Sequence, residues 1–130
     1  MATVDVSKKV TIMEGAGIVT FKADLAADKV ASGDTYIVGK LPAGIAVKRA
    51  FIRVITASDA ATSKVADVIV GSTTVASAID LKTAAGSIVT EADAVATTTA
   101  DTNVTFSPTT VGAETVKGSF VITLDVCKIQ

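Results

Sequence analysis

The chain has 130 residues, a formal charge of −1, 49% hydrophobic residues and 4% aromatic ones, which is one domain's worth of sequence with ample material for a single core. Its near-neutral charge excludes the broad basic field that attracts phosphate backbones. The absence of histidine excludes His-based triads, His metal ligands and the usual proton shuttle near neutral pH.

Residues 2–7 alternate weakly, with Val4 and Val6 on one side, and are expected to form an edge strand or an N-terminal arm within residues 1–8. Residues 9–13 and 16–22 read as a hairpin around Glu14 and Gly15, with Val19 and Phe21 sharing a face. Gly15 and Gly17 resemble a phosphate loop only superficially, because the Lys and Ser or Thr of that motif are missing and a strand follows. Nothing around Lys8 and Lys9 has the shape of a secretory signal, and no run approaches the roughly 20 apolar residues of a membrane span. Synthesis in a cytoplasm, without cleavage, is the expectation.

Residues 23–33 are expected to be a loop or one or two helical turns, ended by Ser32 and Gly33. Strand character resumes over residues 34–41, with Tyr36 and Val38 on one face, and stops at a turn marked by Pro42 and Gly44. Residues 45–56 are rich in Val and Ile, whose branching suits a pleated surface, so a long strand is predicted. Val47 is out of phase with Ile52 and Val54, as one extra residue around Lys48 and Arg49 would cause, which points to a bulge. Residues 56–63 read as a polar surface connection. Residues 64–71 read as a strand with Ala66, Val68 and Val70 inward.

Residues 72–81 fit a strand or irregular segment, 83–86 a turn and 87–91 a short strand. The Ala and Thr tract 92–102 reads as extended or as a mobile loop. Residues 103–107 alternate with Val104 and Phe106 inward, and Pro108 is expected to end that strand because it cannot donate to a ladder. Residues 109–117 read as a further polar connection. Strict alternation of Phe120, Ile122, Leu124 and Val126 marks a final strand that belongs inside a sheet. Short strands at spacings of about 8 to 12 residues imply a single all-β domain, an antiparallel β-sandwich of the jelly-roll kind or, alternatively, an immunoglobulin-like one.

Chemistry is sparse. Cys127 is the lone cysteine, so an intrachain disulfide is excluded and a partly buried free thiol is expected. Neighbours such as Ser63 and Lys64 cannot form a nucleophile and base on a strand, because adjacent side chains face opposite sides. Glu91 and Asp93 could hold calcium weakly, yet no loop with dedicated spacing surrounds them. No catalytic residue, cofactor or metal site is expected. Lys48, Arg49 and Arg53 form the compact basic cluster, either a solvated face that protects an edge or a docking strip for an acidic protein surface. A mean hydropathy of +0.56 points to apolar surface buried between subunits.

The succession YIVGKLPAGIAVKRAFIRVITA, a loop, then ADVIVG resembles a pattern in small structural proteins of tailed bacteriophages, with a Leu-Pro turn, a Val and Ile strand and a second strand closing on Val-Gly. The resemblance covers residues 36–71. It is to the sandwich-fold virion proteins used for capsid decoration or as head fibres. It implies a non-enzymatic subunit on the capsid surface that self-associates, commonly as a homotrimer, and binds the major capsid protein, with no nucleic acid or membrane partner. A tail or tail-tube subunit and a receptor- or carbohydrate-binding module are the alternatives. The latter is disfavoured by the single Tyr and missing Trp, since sugars stack on aromatic platforms.

Overall fold

The computed structural model describes residues 3–6, 16–84, 86, 88–91 and 95–129. It is all-β. Ten strands run in the order β1 (Thr3–Asp5), β2 (Ala16–Asp24), β3 (Thr35–Leu41), β4 (Ile45–Thr56), β5 (Ser63–Val70), β6 (Thr73–Asp80), β7 (Ile88–Glu91), β8 (Ala96–Thr97), β9 (Thr102–Val111) and β10 (Ser119–Lys128). They form two sheets packed face to face, one ordered β1-β3-β9-β5-β6 and the other β2-β10-β4-β7, with β8 also pairing β4. Every pairing is antiparallel except that of β1 with β3. The expected sandwich is therefore present.

The core lies between the sheets, built from the alternation that the sequence displays. Phe120, Ile122, Leu124 and Val126 of β10 are fully buried, and β10 sits centrally between β2 and β4. Across from them lie Val104 and Phe106 of β9 and Ala66, Val68 and Val70 of β5. Phe106 stacks on Phe120 at 6.1 Å between ring centres and meets Tyr36 edge-on at 6.5 Å, which ties the two sheets together with favourable ring geometry. Gly39 allows the sheets to close. A Cβ built there would stand 2.0 Å from Cε1 of Phe21 on the facing sheet.

The bulge expected at Lys48 and Arg49 is there. Asp125 of β10 pairs with Arg49 and Val126 with Val47, so one residue of β4 is extra and both Lys48 and Arg49 turn outward. The turn before β4 is as read, with Gly44 at φ 82°, a region that costs glycine little. The described half of the first hairpin, β2, buries Val19 and Phe21; its expected partner, residues 9–13, lies outside the described residues. Residues 3–5 pair with β3 of their own chain as an edge strand and the Val6 amide donates to the Ile37 carbonyl at 3.0 Å, while residues 1, 2, 7 and 8 of the expected arm lie outside the described residues. Residues 25–34 form turns, not a helix, and bury Leu25 and Val30.

Two expectations are overturned and one alternative is resolved. Pro108 does not end its strand, which runs on to Val111. Its carbonyl accepts the Gly33 amide at 2.9 Å, so its nitrogen faces the side where β3 has stopped pairing and no ladder bond is lost. Of the two readings of the Ala and Thr tract, the extended one holds where the tract is described, because Ala96 and Thr98 are buried and β8 joins the sheet. The connections over residues 57–62 and 112–118 are not simple solvated loops. They bind each other across one end of the sandwich.

Candidate docking face

The outer face of the β2-β10-β4-β7 sheet gathers the predicted strip and extends it. Side chains alternate across a strand, so Arg49, Phe51, Arg53 and Ile55 of β4 all face outward once the bulge has reset the phase. Lys48 joins them. The register then sets a row across four strands, Lys22 of β2, Val121 of β10, Arg53 of β4 and Ile88 of β7. A second row holds Ile18, Asp125 and Arg49. Ile18 and Ile88 are 69% and 64% exposed, unusually open for large aliphatic side chains on a sheet face.

The three predicted cations do not share one environment. Arg49 Nε lies 3.3 Å from Asp125 Oδ2 and Lys48 Nζ 3.9 Å from Asp125 Oδ1, so one carboxylate serves both. The Arg49 guanidinium also stands 5.4 Å over the Phe51 ring, within reach of a cation–π contact. Arg53 has no carboxylate partner among the described residues. Its row neighbours Val121 and Ile88 are apolar. Sequence reading missed Lys22, Ile18 and Ile88 as members because they come from strands remote in sequence. Only the register joins them.

A second cluster is buried. Lys64 has the same strand parity as Ala66, Val68 and Val70, so its side chain points inward and is only 2% exposed. Its ammonium donates to Glu114 Oε2 at 2.7 Å and to the Lys117 carbonyl at 3.1 Å. Ser58 Oγ donates to the same carboxylate oxygen at 2.6 Å and accepts the Ala60 amide at 3.1 Å. Ser63 faces away from Lys64, as their adjacency requires. Nearby, Asp59 accepts the Thr115 and Val116 amides at 2.9 and 2.8 Å and the Thr115 hydroxyl. Those bonds, the hydroxyl's first, hold the Asp59 carboxyl below its ordinary value.

The parity of Lys64 was available in the sequence, but its partner was not. Glu114 lies fifty residues away in a segment that reads as solvated. Every polar group named in this cluster meets another within the chain, so the arrangement works as a clasp between residues 57–64 and 112–118. At the same end, the buried Tyr36 hydroxyl donates to Asp28 Oδ2 and accepts the Asp24 amide at 3.3 Å. Burial, reinforced by the bond to Asp28, raises the phenol well above its ordinary pKa.

No known family profile, curated protein or solved structure matches this chain. Cys127 is a free, half-buried thiol on β10. Glu91 ends β7, and Asp93 lies outside the described residues.

Proposed function

We propose that the chain is a non-enzymatic structural subunit of a tailed-phage virion, a capsid decoration protein that self-associates and docks on the capsid surface. The observation that carries this reading is the outer face of the β2-β10-β4-β7 sheet. A core that is already closed leaves Ile18, Ile55 and Ile88 in solvent beside Arg53, a combination of apolar and charged groups that a protein partner would cover. The resemblance over residues 36–71 supports it too; that stretch is β3, β4 and β5, which do not pair with one another as a hairpin but alternate between the two sheets.

Sedimentation of the purified chain across a hundredfold concentration range tests self-association, with a stable trimer expected. A strict monomer would sink that half of the proposal, and long polymers would favour a tube subunit. Particles assembled without the chain should lose infectivity or rupture at lower temperature or milder osmotic shock. Unchanged particles would refute a cement role.

A further inference from the structure

Resting on that reading, we infer that the partner-binding surface is the outer face of the β2-β10-β4-β7 sheet and that its occupant is an acidic protein surface of the capsid lattice. Lys22, Lys48, Arg49 and Arg53 lie on this face with two described carboxylates, Asp125 among them and Asp24 at the end of β2. Four cations less two anions leave a surplus of two among the described residues of the face, on a chain whose total formal charge is −1. The asymmetry is spatial, and composition hides it.

The placement of the charges defines the complement. Lys22 and Arg53 sit in one row with Val121 between them, two strand spacings apart, or roughly 10 Å. Asp125 is spent on Arg49 and Lys48, whereas Arg53 is open and has apolar neighbours, the environment in which a guanidinium gains most from a bidentate carboxylate. The fitting surface therefore carries at least two carboxylates about that far apart with aliphatic side chains around them. A second copy using the same face would set surplus positive charge against surplus positive charge. Nucleic acid is a poor match as well, because Ile18, Ile88 and Val121 interrupt the cations and Asp125 would meet a phosphate.

The test uses the full chain and undecorated capsids of the phage that encodes it. Binding is measured for the wild type, for Lys22→Glu with Arg53→Glu, and for a control with the same number of added carboxylates on the opposite sheet, Asn103→Glu with Thr109→Glu, both exposed. Thermal melting checks that each variant is folded, and Lys22→Gln with Arg53→Gln replaces the reversal if it is not. The expected result is a loss of at least a hundredfold for the reversal, at most twofold for the control, and about tenfold weaker wild-type binding when salt rises from 50 to 500 mM. Equal losses from reversal and control, or none from the reversal, would overturn the assignment of this face and leave the decoration reading standing. Wild type that fails to bind capsids overturns both. Tight binding of a 30-base-pair DNA duplex, abolished by the reversal, would overturn the protein partner.

Discussion

The two ends of the sandwich are closed by opposite chemistry. Where β3 turns into β4, a neutral hydroxyl does the work. Buried Thr98 accepts the Ile45 amide at 2.9 Å and donates to the Pro42 carbonyl at 2.7 Å, while its own amide and carbonyl bond Ile45 and Gly44. At the far end the closure uses charged groups, an ion pair of Lys64 with Glu114 and carboxylates that accept neutral donors, Asp59 from Thr115 and Val116 and Asp28 from Tyr36. A hydroxyl asks for little desolvation and is indifferent to pH. An ion pair under 2% and 11% exposure must recover a large desolvation cost through geometry, and its neighbours titrate.

β10 links the ends, starting beside the clasp and finishing where the Ile129 amide donates to the Gly44 carbonyl at 2.8 Å. Removing it should abolish the comparison altogether. A chain stopped after Lys117 loses four fully buried side chains worth roughly 1.5 to 3 kcal/mol each. We expect an insoluble or unfolded product, and a soluble one with a cooperative melt would contradict the central role of β10.

The clasp comes next. Glu114→Ala strands the buried Lys64 ammonium and should cost about 3 kcal/mol in denaturant titrations. Lys64→Met removes the charge but keeps the bulk, and Glu114 can turn to water, so its cost should stay near 1 kcal/mol. Equal costs would show that the ion pair, and not the stranded charge, sets the energy.

Thr98→Val is smaller but of one kind throughout the pH range. It leaves the Ile45 amide and Pro42 carbonyl without their side-chain partner, at about 1 to 2 kcal/mol. A loss that varied with pH would mean that the two ends are coupled.

The smallest effects distinguish the ends by titration. The depressed carboxyl of Asp59 means that its contribution is present above the ordinary value of 3.8 and fades as pH falls below it. Asp59→Asn should flatten that acid limb. The raised phenol of Tyr36 has the reverse sign, with stability intact below the ordinary value of 10.0 and falling as pH rises past it. Hydrogen exchange should show residues 112–118 opening at both extremes before residues 42–45 do. Simultaneous opening would erase the distinction.

How much of this was legible follows from the range of the interactions. Period-two alternation identified β4, β5 and β10 and their inward faces, because a pleat sorts side chains without any knowledge of the partner strand. Even the bulge at Lys48 showed, as a slip of phase within one strand. The break at Pro108 fails, and the Ala-Thr tract stays ambiguous in the sequence, for a shared reason. Whether a proline breaks a strand or a Thr is buried depends on which strand lies alongside, and the local sequence is silent about that.

The same division holds for the candidate site. By itself the chain determined that it is an all-β domain with a basic cluster at Lys48, Arg49 and Arg53, since composition and periodicity act locally. Only the tertiary structure decided that Asp125 occupies two of those cations and leaves Arg53 open, that Lys22 and Ile88 join it in one row, and that Lys64 meets Glu114. Each of these pairings closes a long loop, and the register that closes it is set by the packing of two whole sheets.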